Sequence, residues 1–217
     1  PTKTMTSPSG VTSVYTDEAA MDVFLMAYAG LLNKKIVACL QKHGVNAVGL
    51  SGIDGRLWEA KKKEAVYAVE GEKTRLIKDN LTGKVQRVNA DLLHLLVNQG
   101  YVPVICPPAL SLEREMVNTD NDFATAIMAE ALGIKEMIVL FEAPGMLRDV
   151  KDPTSIISEI KKESLEEFLP FAMGRMKKKL LGTQNAFERG IQKMYWGDGR
   201  IEHPLESALA GKGTVLS

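Results

Sequence analysis

Residues 90–145 read ADLLHLLVNQGYVPVICPPALSLEREMVNTDNDFATAIMAEALGIKEMIVLFEAPG. Apolar residues recur at helical spacing in ADLLHLLVNQG (90–100), then give way to the apolar run YVPVICPPAL (101–110). The pattern repeats as NDFATAIMAEALG (121–133) followed by KEMIVLFEAPG (135–145). Helix, buried strand, helix, buried strand in series predicts parallel pairing with helices as crossovers, hence an α/β protein.

Upstream, DEAAMDVFLMAYAGLLNKKIVACLQKHG begins after Thr16, carries an apolar pattern at helical spacing and closes at Gly44. It predicts one long helix. Its residues Met21, Phe24, Leu25, Met26 and Leu31 read as core packing, with a contact face for a second subunit as the alternative. VNAVGLS predicts a strand leaving into Gly49, Gly52 and Gly55, and LWEAKK, EAVYAVE and KTRLIKD predict short hairpin strands. Downstream, SIISEIKKESLEEFL and MKKKLLGTQNAFERG predict helices, IQKMYWG a strand, PLESALAG a helix and GTVLS a closing strand. DVKDPTS reads as a surface connection between halves that share one sheet.

The 217 residues are 45% hydrophobic, enough for a sizeable core. Lys plus Arg and Asp plus Glu balance at 27 each, which gives no overall electrostatic case for nucleic acid or an anionic membrane. Charged residues were expected to interrupt every apolar stretch short of membrane-spanning length, and no leader pattern opens the chain; the expected location is the cytoplasm. Cys39 and Cys106 lack the spacing of a metal site and are expected to be buried thiols. His43, His94 and His203 lie far apart and predict ordinary structural roles, so no metal site follows from protein ligands.

TGKV (82–85) has neither the upstream glycine spacing nor the following Ser/Thr of a P-loop, which disfavours that class of nucleotide binder. The glycines of GLSGIDG suit either a tight strand exit or the approach of backbone amides to a phosphate. In NTDND (118–122), Asp120 or Asp122 suits an N-cap; a carboxylate at such a junction also suits organising lysines or a magnesium ion. Lys177, Lys178 and Lys179 suit a solvated helical face or the neutralisation of a transferring phosphoryl group, and spacing alone does not choose among them. FEAPGMLRD reads as a strand-end loop with a Pro-Gly turn, a place to reverse the chain or to lie against a nucleotide.

YTDEAAMDVFLMAYAGLLNKKIV, GVNAVGLSGIDGRL, LTGKV, NTDNDFATAIMAEALG, FEAPGML, MKKKLL and GTVLS stand in the order found in acetylglutamate kinases. Taken together they resemble the amino acid kinase family nearly end to end. TSPSG and GVNAVGLSGIDG are most similar to its branch acting on aminoadipate or glutamate held on a LysW-type amino-group carrier protein. The resemblance implies a three-layer αβα sandwich with a mainly parallel central sheet, of the carbamate-kinase-like type. Residues 1–134 would form the acyl-substrate half and 135–217 the ATP-binding half.

It also implies ATP and magnesium, a phosphorylated side-chain carboxylate, a role in arginine or lysine biosynthesis, and a homo-oligomer. Residue by residue, it places Asn118 at the acyl-substrate site, Asp122 on the aspartate that organises the catalytic lysines, with Asp120 in support, and Lys179 on the second catalytic lysine. Glu142, Ala143, Pro144, Gly145 and Met146 fall on an ATP-contacting loop, as does the stretch from Met173 to Lys178, including Lys177.

Departures from the family pattern accompany the match. The family's Lys-x-Gly-Gly turn and His-Gly-Gly-Gly loop would precede Pro1, so the chain reads as truncated at its N-terminus, with impaired catalysis expected if it is the whole molecule. Val14 occupies the place of the arginine that grips the substrate α-carboxylate, a bidentate contact no apolar residue supplies. Glu142 stands where relatives have Asp, and Arg175 where they have Gly. A noncatalytic nucleotide-binding relative is the alternative these departures raise.

Overall fold

A computed structural model describes residues 4–6, 12–70, 73–172 and 174–217. Ser7 to Gly10 of the TSPSG segment, and Met173, lie outside the described residues. The chain divides into two compact units, 1–128 and 129–217.

In the first unit, β1 (Thr4–Thr6) and β2 (Thr12–Val14) pair antiparallel. The Asp17 carboxylate then accepts from the Ala20 amide at 2.8 Å and starts α1 (Glu18–Leu25). A π-helical stretch, Met26–Leu32, joins it to α2 (Asn33–Lys42), which ends at Gly44 with φ of +76°.

Three expectations for this helix are corrected. Met21 is buried, but Met26 and Leu31 are 64% and 53% exposed, so the stripe is not core packing within the described residues. Cys39 is exposed, while Cys106 is half-buried with its thiol pushed up chiefly by desolvation. By length and composition the helix from Glu18 to Lys42 is also apolar enough to cross a membrane, because no charged residue stands between Asp22 and Lys34. Asn33 nevertheless ties it to a sheet: its Nδ2 donates to the Leu50 carbonyl at 3.3 Å and the Val104 carbonyl at 2.8 Å.

That sheet is assembled from β3 (Ala47–Gly52), β4 (Trp58–Lys62), β7 (Gly83–Val88), β8 (Val102–Ser111) and β9 (Met116–Val117), after the separate hairpin β5 (Val66–Glu70) and β6 (Lys73–Ile77). Its order is β3-β8-β4-β7, with β9 beside β8. β8 runs parallel to β3 and β4, whereas β7 and β9 join antiparallel. Helices α3 (Ala90–Asn98) and α4 (Asn121–Ala131) occupy the predicted segments. Leu57, Trp58, Ala60, Val85, Leu93, Ala109 and Val117 fill the core.

The second unit carries a sheet of order β10-β12-β13-β11, built from β10 (Glu136–Phe141), β11 (Glu159–Ile160), β12 (Lys193–Asp198) and β13 (Thr214–Leu216). β10 and β12 are parallel in register, with Phe141 opposite Asp198. β13 runs antiparallel to β12 and parallel to β11. Each unit thus has a mixed, partly parallel sheet of its own. The α/β class is as expected, and among the described residues β3 and β10 each end the strand order of their own sheet.

Helices α5 (Leu165–Phe168), α6 (Arg175–Glu188) and α7 (Pro204–Leu209) complete the unit. The continuous helix expected over 155–169 is absent. Pairing of β11 with β13 buries Ile160 to 1% exposure, and Pro170 limits the helical residue run that follows. Long-range pairing outweighs local helix propensity here.

Candidate active site

Asn118 lies between β9 and α4, and its backbone is fixed on both sides. Its amide donates to the Leu81 carbonyl at 2.9 Å, and its carbonyl accepts from the Gly83 amide at 2.9 Å. The side-chain Nδ2 donates to Thr16 Oγ1 at 3.1 Å. Segment 14–17, which carries Val14, is thereby tied to Asn118 through Thr16. Val14 itself is 42% exposed.

At the start of α4 the two aspartates separate in role. The Asp120 carboxylate accepts from the amides of Asp122 at 3.1 Å and Phe123 at 3.4 Å, so Asp120 is the cap. Asp122 sits in the first turn, where a carboxylate is favoured by the helix dipole. The glycine-rich exit of β3 is occupied by protein contacts: the Asp54 carboxylate accepts from the Ser51 amide and hydroxyl at 2.7 and 2.8 Å. A Cβ at Gly52 would lie 2.6 Å from the Pro108 carbonyl oxygen. Close packing explains this glycine without a ligand.

In the second unit, Glu142 to Met146 follow directly from β10. Gly145 lies so close to β13 that a Cβ there would meet Thr214 Oγ1 at 2.7 Å. The Met146 amide donates to that same oxygen at 2.8 Å, and the Met146 carbonyl accepts from the Ile157 amide at 2.8 Å. Gly145 and Met146 are buried and anchor the loop, while Glu142 to Pro144 form its outer part.

The lysines of α6 also separate. Lys177 is exposed, whereas Lys179 is half-buried with its Nζ 5.3 Å over the Phe141 ring at the end of β10. Gly174, at φ of +53°, precedes a helix that has no side-chain cap and no acidic residue in its first turn. Cations at the positive end of a helix dipole are unfavourable unless an anion joins them. Three successive lysines, Lys177 to Lys179, stand in the opening turns of this helix.

At the end of β12, Asp198 forms a bidentate pair with Arg200, at 2.8 Å to Nε and 2.7 Å to the terminal nitrogen. The guanidinium holds the Asp198 carboxyl down at about 2 against the desolvation that opposes it. Arg200 is raised in turn, first by Asp198 and more weakly by Glu142.

The sequence profile of the amino acid kinase family matches residues 2–195. The chain belongs to the amino acid kinase family. As a family member it is similar to the [LysW]-aminoadipate kinase of Deinococcus radiodurans, with 46% identity over 217 residues covering 100% of this chain and 74% of the relative. The [LysW]-aminoadipate kinase of Thermus thermophilus is 43% identical over 218 residues, covering 100% and 81%. Among solved structures, N-acetylglutamate synthase from Neisseria gonorrhoeae, complexed with coenzyme A and N-acetyl-glutamate, superposes with a TM-score of 0.78 at 18% identity, over 94% of this chain and 45% of that one. That likeness concerns the fold alone.

Thr16, Asn80 and Thr214 escaped the sequence reading. Each is a small polar residue whose partner is distant in sequence, and no local pattern marks such a bond.

Proposed function

We propose that this amino acid kinase transfers the γ-phosphoryl group of ATP to the side-chain carboxylate of an N-acylated aminoadipate or glutamate. The acceptor is carried on a LysW-type amino-group carrier protein, or is free N-acetylglutamate. The observation that carries the reading is the uncapped, lysine-bearing start of α6, where Lys179 approaches the end of β10. The kinase names of the two [LysW]-aminoadipate kinases support the acceptor class.

An acceptor carboxylate oxygen bonds to the γ-phosphorus while the bond to the ADP oxygen breaks, giving an acyl phosphate. Nucleophile and phosphate are both anionic, so the protein's task is to offset their repulsion and hold them in line. Lys179, with Lys177 at the helix rim, supplies positive charge. Asn118 holds the acyl part of the acceptor, and Asp122 supplies the carboxylate that orders ammonium groups. Glu142, Ala143, Pro144 and Gly145 lie against the nucleotide, with Met146 as their anchor. Magnesium bound together with ATP would neutralise part of the phosphate charge.

Trapping acyl phosphate as the hydroxamate tests this in the intact gene product, with carrier-linked aminoadipate and with acetylglutamate. Hydroxamate that depends on ATP and vanishes in Asp122→Asn and Lys179→Ala is expected. ATP binding with no hydroxamate from either acceptor would replace the proposal with the second reading, a nucleotide binder without transfer, which Val14 in place of arginine favours. The apolar face of Val23, Met26, Leu31, Leu32 and Ile36 suits a second copy of the chain. Sedimentation as a monomer, in Met26→Glu and wild type alike, would refute that assembly.

A further inference from the structure

Thr16 and Asn80 are each 1% exposed, and a continuous chain of hydrogen bonds runs through them to Asn118. The Asn80 Oδ1 accepts from the Thr16 amide at 2.9 Å, which fixes the orientation of the Asn80 carboxamide because a backbone N–H only donates. Its Nδ2 then faces Thr82 Oγ1 at 2.7 Å. The Leu81 amide returns a bond to the Thr16 carbonyl at 2.7 Å, and one residue earlier the Tyr15 hydroxyl donates to Asp79 at 2.9 Å. Segment 15–16 is thus clasped to 79–82 by side chains and backbone together.

The clasp has a direction. The Thr16 hydroxyl makes a long donation to the Val14 carbonyl at 3.5 Å, leaving its oxygen to accept. Asn118 turns its NH2, not its carbonyl, toward this oxygen, at 3.1 Å. With one N–H committed, the plane of the carboxamide is set, and Oδ1 and the second N–H remain for an acceptor in a defined order.

We infer that Thr16 and Asn80 are positioning residues that orient the Asn118 carboxamide toward the acyl acceptor. The inference rests on the proposed kinase reading, in which Asn118 binds that acceptor.

Thr16→Val keeps the shape and removes the hydroxyl; Thr16→Ser keeps the hydroxyl. In the intact protein, Thr16→Val is expected to raise the KM of the acyl acceptor by about tenfold, the equivalent of one hydrogen bond. The KM of ATP should stay within about twofold, well under one hydrogen bond's worth, and Thr16→Ser should restore the acceptor value. An unchanged acceptor KM, or equal rises for both substrates, overturns the proposal. Wild-type protein that forms no acyl phosphate sinks the kinase reading instead. The clasp is then judged by the Asn118 side-chain amide resonances, which must shift in Thr16→Val and return in Thr16→Ser; unmoved resonances overturn it.

Discussion

Replacing Thr214 by valine changes one atom's chemistry at the buried anchor of the loop after β10. Thr214 is 1% exposed and Met146 is fully buried, and the amide of one donates to the hydroxyl oxygen of the other at 2.8 Å. Valine keeps the branched shape, so no cavity opens; what is lost is the acceptor, which leaves a buried N–H unpaired. Such an orphan costs about 1–3 kcal/mol. For a chain of this size that is a fall in melting midpoint of roughly 2–4 °C per kcal/mol. Thr214→Ser keeps the oxygen and deletes a methyl group, a loss of about 0.8 kcal/mol. The expected order of stability is wild type, then serine, then valine, read by guanidinium and thermal unfolding. Amide exchange at Met146 should quicken in the valine variant and not in the serine one. A valine variant as stable as wild type, with Met146 still protected, would refute the claim that this bond anchors the loop.

Gly213→Ala should leave little folded protein, since its Cβ would fall 1.9 Å from the Trp196 carbonyl oxygen and 3.0 Å from that of Pro144, both backbone atoms; soluble yield and thermal unfolding measure it. Acid titration tests the Asp198 pair. Its folded carboxyl sits at about 2, below an unfolded value of about 4, so the stability it adds is present above that unfolded value and is lost as pH falls toward 2. Asp198→Asn should remove this part of the acid dependence in unfolding midpoints taken between those limits. Val14→Arg should lower the acceptor KM by about tenfold or more if an α-carboxylate lies beside segment 14–17, because charged hydrogen bonds exceed neutral ones; an unchanged KM places that carboxylate elsewhere.

Periodicity carried the long elements. The helix, strand, helix, strand series of 90–145 became α3, β8, α4 and β10 because each buries a face large enough to leave a pattern in the residues. β11 left none: two residues become a strand only because β13 lies beside them. The sequence likewise marked NTDND as a helix start, but capping by Asp120, not Asp122, follows from backbone geometry. The α6 lysines were legible as a cluster; that Lys179 and not Lys177 turns toward β10 depends on the helix's rotation over the sheet. The Thr16, Asn80 and Asn118 chain was illegible because its members are 64 and 102 residues apart.

The position of β13 between β12 and β11 has a consequence for how the molecule is made. β11 can find no ladder until Thr214–Leu216 has been synthesised, because its neighbour is the later strand and not the one preceding it. Translation at roughly 5–20 residues per second keeps Glu159 and Ile160 waiting for seconds, with Ile160 uncovered. Once β12 has formed, its flank stays an unpaired edge until β13 arrives. The sheet of the second unit is therefore completed only when Thr214–Leu216 is free to pair on both of its sides.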